Sequence, residues 1–75
     1  MNKQQRKSIE EIGVKLTELR EELEMIRDEE QEKLDNMPEN LQGSDRYSEM
    51  EEALESLEEA VSSLEEADNE LQNLC

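Results

Sequence analysis

Histidine, phenylalanine and tryptophan are absent from this 75-residue chain, and Tyr47 is its only aromatic residue. Without histidine, the chain cannot form a Ser-His or Cys-His nucleophilic pair, nor the Glu-x-x-His sites of di-metal helical bundles. A single cysteine, Cys75, cannot form a zinc cluster. The two glycines lie in different segments, so no glycine-rich loop can cradle a phosphate. We therefore predict a non-enzymatic protein with no catalytic residue, no cofactor, no metal site and no small-molecule substrate.

Long apolar runs are also missing from the sequence. No stretch approaches the roughly 20 apolar residues of a transmembrane helix. The basic segment at residues 1–11 is not followed by the apolar run of a signal peptide. We therefore expect a cytoplasmic protein with no membrane partner. In that reducing compartment Cys75 should be a free thiol, and an intermolecular disulfide in an oxidising setting is the alternative.

The apolar residues that are present recur with a helical period. Charged residues make up 41% of the chain and hydrophobic residues 32%, a composition close to that of disordered proteins. The spacing of the apolar residues nevertheless alternates between three and four, which is typical of a heptad stripe. In the first half this stripe contains Ile9, Ile12, Leu16, Leu19, Leu23 and Ile26, and after a slip of one residue it resumes at Leu34 and Met37.

Gly13 interrupts this first helical segment. A glycine in a helix interior costs about 1 kcal/mol relative to alanine. The residue is either tolerated at that cost or required for the close approach of a partner, and the sequence favours neither explanation.

The second half carries another heptad stripe. It contains Met50, Leu54, Leu57, Val61, Leu64, Asp68 and Leu71, and it is widened by Ala53, Ala60 and Ala67. Asp68 is the exception in this stripe. A small rotation of the helix would allow Ala67 to take its place.

A polar break separates the two helical segments. Pro38 disfavours helical dihedral angles at the residue before it, so the first helix should end near residue 35 or 36. Both Ser44 and Ser48 could cap the second helix, and Ser48 fits the capping-box pattern better because Glu51 follows it. We predict a first helix at about 3–36, a loop at about 37–44 and a second helix at about 45–73. The loop tip could contact a partner, although an ordinary hairpin cap explains it almost as well; it contains Pro38, Gln42, Gly43 and Arg46.

These patterns predict an all-α protein with one domain, an antiparallel two-helix hairpin. The best pairing of the stripes places Ile26 beside Val61, Leu23 beside Leu64, and Leu19 beside Ala67 or Asp68. The predicted core and self-association residues are Ile12, Leu16, Leu19, Leu23, Ile26, Leu34, Leu54, Leu57, Val61, Leu64 and Leu71. Two helices cannot cover both sides of their own stripe. The hairpin should therefore either dimerise into a four-helix bundle, which we expect, or bind another apolar partner.

Negative charge is concentrated in the second half of the chain. Residues 38–75 contain twelve acidic residues and one basic residue, Arg46, whereas residues 1–37 contain eleven acidic and seven basic residues. Direct binding to nucleic acid is disfavoured because phosphates repel such a surface. One helical side of the second segment, which we call the acidic face, contains Glu51, Glu52, Glu55, Glu58, Glu59, Glu65 and Glu66. It is either a solvated face that keeps the protein soluble or a surface that mimics a DNA backbone.

The stretch at residues 28–46, and above all the loop Asp35–Ser44 (DNMPENLQGS), resembles a family of short acidic proteins of bacteriophages and of integrated elements in Gram-positive bacteria. The resemblance implies an origin in a phage or mobile element, and it assigns no activity and no functional residues. By analogy with other small acidic phage proteins, the acidic face could inhibit a host nucleic-acid-binding or defence protein. The alternative is a structural or regulatory coiled-coil protein that assembles through its apolar stripe.

Overall fold

The computed structural model describes residues 1–74, which form two helices packed against each other. Helix α1 spans Lys3–Asp35, a short 3-10 turn spans Glu39–Leu41, and helix α2 spans Asp45–Gln72. The hairpin is a rod with extents of 59 × 14 × 13 Å. Neither helix is long and apolar enough to cross a membrane. Cys75, for which a free thiol is predicted, lies outside the described residues.

Both ends of α1 are determined by local sequence. The Asn2 side chain accepts a hydrogen bond from the Gln5 backbone N–H at 2.8 Å, and the Gln5 Oε1 accepts one from the Asn2 backbone N–H at 3.0 Å. This reciprocal capping box satisfies two backbone donors that would otherwise have no partner. At the other end the helix stops at Asp35, three residues before Pro38.

Helix α2 begins one turn earlier than its capping-box pattern predicts. The N-cap is Ser44, whose Oγ accepts a hydrogen bond from the Tyr47 backbone N–H at 3.2 Å and donates one to the Leu41 carbonyl at 2.6 Å. The prediction that Ser48 fits best as the cap is therefore wrong. A helix that starts at Asp45 has one more turn of backbone hydrogen bonds than a helix that starts after Ser48. Tyr47 lies in this extra turn and is half-buried.

The side of α1 that faces α2 is not the most apolar one. Ile12, Leu19 and Ile26 are 48%, 51% and 47% exposed, so they do not lie in the core of the hairpin and the predicted pairing is wrong for them. Apart from Thr17, Glu24 and Gln31, which border it on one side, the buried and half-buried positions instead form an unbroken heptad without the predicted slip. We call these positions the α1 seam, and they are Ile9, Gly13, Leu16, Arg20, Leu23, Arg27, Glu30, Leu34 and Met37.

Arginine explains how a less apolar side of α1 can pack. The side chains of Arg20 and Arg27 are 24% and 30% exposed. A long arginine can cover apolar surface with its methylene groups while the end of its guanidinium stays near water. The Nε of Arg20 is buried and has no hydrogen-bond partner among residues 1–74. Both arginines lie close to acidic neighbours, Arg20 Nε at 3.6 Å from Glu24 Oε1 and Arg27 Nη2 at 3.1 Å from Asp28 Oδ1.

The seam of α2 follows the predicted stripe. Leu54 and Val61 are 5% exposed, and with Leu34 they are the buried apolar side chains of the described chain. Asp68 stays on the seam at 8% exposure while Ala67 is half-buried, so the rotation that would exchange them does not occur. The core is therefore thin, and one of its four buried residues is a carboxylate.

Candidate interaction surfaces

The acidic face lies on the outside of α2. All seven of its glutamates are exposed. Among residues 1–74, every ion pair lies within α1: Arg20 with Glu24, Arg27 with Asp28, and Lys33 with Glu30. The basic residues of α1 that are paired therefore neutralise acids of their own helix. The glutamates of the acidic face have no ion-pair partner in the part of the chain that the structure describes.

The acidic face has the dimensions of a short nucleic-acid segment. From Glu51 to Glu66 the helix rises about 22 Å at 1.5 Å per residue, which is the length of roughly six or seven base pairs of duplex DNA. Carboxylates four residues apart on one helix lie about 6 Å from each other. The row is interrupted once, where Ser62 and Ser63 line a shallow groove with three of the glutamates. Like charges at this spacing destabilise an isolated helix by a few tenths of a kcal/mol per pair.

The loop tip is exposed throughout. Pro38, Gln42, Gly43 and Arg46 are all solvent-accessible. The Gln42 side chain donates a hydrogen bond of 3.4 Å to the Met37 carbonyl, which ties the 3-10 turn to the end of α1. The loop residues are thus joined by bonds within the hairpin, while Arg46 belongs to the first turn of α2.

Asp68 forms a polar layer that the sequence indicated only in part. Its Oδ2 accepts hydrogen bonds from Thr17 Oγ1 at 3.2 Å and from Gln72 Nε2 at 3.3 Å. Thr17 therefore occupies the place opposite Asp68 that was predicted for Leu19. A Cβ built on Gly13 would lie 3.4 Å from Asp68 Oδ1, which is an ordinary van der Waals contact. Of the two explanations left open for Gly13, this distance favours tolerance, because an alanine side chain would fit beside Asp68.

This polar layer also defines one side of the hairpin. An open groove of about 350 Å³ runs beside the polar layer. It is lined by Ile9, Glu10, Gly13, Val14, Thr17, Asp68, Leu71 and Gln72. Thr17 and Gln72 follow the seam positions Gly13 and Asp68 by four residues each. In an antiparallel pair of helices, the residues that follow a seam position by four on one helix lie on the same side of the pair as those on the other helix. We call it the groove side.

The opposite side has a different composition. Each residue on this side comes directly before a seam position of its own helix. We call them the apolar flank: Ile12, Leu19 and Ile26 on α1, and Ala53, Ala60 and Ala67 on α2. The heptad pattern placed Ile12, Leu19 and Ile26 in the core and the three alanines beside the stripe of α2. The first three lie outside the core because the apolar stripe of α1 is wider than the contact with α2.

The titratable groups of residues 1–74 do not form a metal site, since no three of their acidic side chains converge closely enough to hold an ion. Searches against protein-family models, curated proteins and solved structures found no match to the chain. The resemblance to short acidic phage proteins therefore stays a prediction.

Proposed function

We propose that this protein is a non-enzymatic interaction module whose acidic face binds the basic groove of a host nucleic-acid-binding or defence protein. The observation that carries the proposal is the set of seven exposed glutamates on α2 that have no ion-pair partner among residues 1–74. Such a surface presents carboxylates where a DNA segment would present phosphates. By the resemblance of the sequence, the setting would be the cytoplasm of a host that carries a phage or mobile element.

Electrostatics determines how this binding would behave. Opposite charges on two partners accelerate their encounter, and the attraction is screened by salt over about 10 Å at 0.1 M ionic strength. Complex formation should therefore weaken steeply between low and moderate salt. It should also compete with duplex DNA or heparin, because these polyanions occupy the same basic groove.

The test compares two variants of equal charge. In the first, the seven glutamates of the acidic face become glutamine. In the matched control, seven exposed glutamates of α1 outside its ion pairs become glutamine: Glu10, Glu11, Glu18, Glu21, Glu22, Glu29 and Glu32. Both variants have the same net charge, so only the position of the lost charge differs.

Immobilised protein is exposed to host lysate at low and moderate salt, and retained proteins are identified by mass spectrometry. We expect a basic partner that duplex DNA displaces, that the control variant retains and that the acidic-face variant loses. If both variants retain the partner equally, or if no salt-sensitive partner is found, the acidic face does not bind as proposed.

A second candidate function is a structural or regulatory coiled-coil protein that assembles through its apolar residues. It is favoured by the half-exposed Ile12, Leu19 and Ile26. In this case Leu23→Asp or Leu64→Asp should abolish function, whereas neutralising the acidic face should have little effect. Loss of activity after charge neutralisation, with the helices intact, would contradict it.

Under either function we propose that the protein acts as a homodimer, in which two hairpins form a four-helix bundle. The described chain buries few apolar side chains, and a thin core of this kind gains stability by association.

A further inference from the structure

The apolar stripe of α1 points only partly at α2. Leu16 and Leu23 are half-buried on the seam, whereas Ile12, Leu19 and Ile26 are about half exposed one position away. The three recur every seven residues, so they form a straight ridge along the rod. In a hairpin whose only apolar contact was internal, the larger residues would be expected on the seam and the arginines outside it. The ridge therefore indicates a second contact of the same helix.

The α2 part of the apolar flank has the complementary shape. Ala53, Ala60 and Ala67 recur with the same period of seven on the same side of the hairpin. Ser56 and Ser63 continue this surface outwards, so the row contains no large side chain and no charge between Glu49 and Glu70. Small side chains allow another helix to approach closely and to insert larger side chains between them.

Charge also distinguishes the apolar flank from the rest of the surface. The glutamates of the acidic face lie towards the groove side and the outside of α2. The six members of the flank are uncharged, and the residues that continue it towards the loop, Lys33 and Arg46, are basic. On α1 the ridge is bordered by Lys15, Glu22 and Glu29, so a second copy meets fewer acidic side chains on this side than on the acidic face.

We propose that a second copy of this chain docks on the apolar flank, with the ridge of each copy lying on the alanine row of the other. The inference rests on the homodimer proposed above and names its surface. Each flank carries both a ridge and a row of small residues, so one twofold rotation satisfies both, and the contact closes at two copies. Two rods of 59 × 14 Å that overlap along their full length share a footprint of roughly 800 Å² per copy, which is the scale of a standard stable interface.

The test uses two pairs of matched variants, with dimer dissociation constants measured by sedimentation equilibrium. Leu19→Glu places a carboxylate on the ridge, and Met25→Glu places the same carboxylate at a residue that is 64% exposed and outside the flank. Ala60→Gln lengthens a side chain in the alanine row, and Ser62→Gln makes a similar change among the glutamates of the acidic face. Circular dichroism reports whether each variant keeps its helices.

We expect a wild-type dimer, with Leu19→Glu weakening it by roughly 100-fold because two carboxylates are buried per dimer at tenfold or more each. Ala60→Gln should weaken it by at least about tenfold. Met25→Glu and Ser62→Gln should leave the constant within a factor of about three.

If the flank variants leave the dimer intact, the apolar flank is not its interface, although the proposed homodimer stands. A wild-type protein that is monomeric at every concentration would overturn both, without bearing on the acidic face. An assembly larger than a dimer would contradict closure by one twofold axis.

Discussion

Replacing Gly13 by alanine tests the polar layer at Asp68 most directly. Alanine is about 1 kcal/mol more favourable than glycine inside a helix. The added Cβ would lie 3.4 Å from Asp68 Oδ1, the limit of ordinary van der Waals contact, and the neighbour is a side-chain oxygen rather than backbone. The single proton of the Thr17 hydroxyl can be donated to the Gly13 carbonyl at 3.1 Å or to Asp68 Oδ2 at 3.2 Å, so the hydroxyl keeps an acceptor in either case. The gain in helix propensity should therefore exceed the cost of crowding.

We expect Gly13→Ala to raise the free energy of unfolding by about 0.5–1 kcal/mol. For a chain of this size the melting temperature should rise by roughly 3–6 °C. The measurement is thermal and urea unfolding followed by circular dichroism. It is made at one protein concentration, because self-association would make the stability depend on concentration.

A double-mutant cycle with Asp68→Ala separates propensity from crowding. In the Asp68→Ala background the alanine at position 13 meets no carboxylate, so it should give its full gain of about 1 kcal/mol. A coupling energy below about 0.5 kcal/mol is expected. If Gly13→Ala destabilises the wild-type protein but stabilises the Asp68→Ala variant, the carboxylate approaches more closely than 3.4 Å. If it destabilises both, Gly13 is not in a regular helix.

Three further predictions concern the stability of the hairpin. Ser44→Ala should lower the free energy of unfolding by about 1 kcal/mol because it removes the N-cap of α2. Ser48→Ala, inside α2, should change it by less than about 0.5 kcal/mol, and equal losses in urea unfolding would contradict the assigned cap. Leu54→Ala should lower the free energy of unfolding by about 2–3 kcal/mol because Leu54 is only 5% exposed. Met25→Ala should leave it nearly unchanged because Met25 is 64% exposed, and similar losses for the two variants would mean that the core lies elsewhere. Raising the salt concentration should raise the melting temperature, because it screens repulsion in a chain of net charge −15; a fall would show that attractive ion pairs dominate.

The two helices differ in how well their packing could be predicted. In α2 a single apolar stripe is flanked by alanine on one side and glutamate on the other, so the only apolar direction is also the direction of α1. In α1 the apolar residues cover an arc wide enough for two contacts, and the stripe with most isoleucine and leucine is not the one that faces α2. A hydrophobic pattern records that a residue is buried somewhere. It does not say whether its own chain or another chain covers it.

The details at Asp68 and Ser44 required information beyond periodicity. The partner of Asp68 depends on which side of α1 faces α2. Leu19 and Thr17 lie about 200° apart around the helix, and the side that carries Thr17 is the one that reaches the carboxylate. For the cap, the pattern at Ser48 is the better local match. The extra turn of helix gained by starting at Ser44 outweighs it.

The two proposed contacts use different sides of the hairpin, and salt affects them in opposite directions. Binding of a basic partner to the acidic face is an attraction between unlike charges, so salt should weaken it. Docking of a second copy on the apolar flank brings two chains of net charge −15 together, so salt should strengthen it. A single salt series that measures both dissociation constants can therefore tell the contacts apart. If both constants moved in the same direction, one surface would be serving both partners, and the separation of the acidic face from the apolar flank would be wrong.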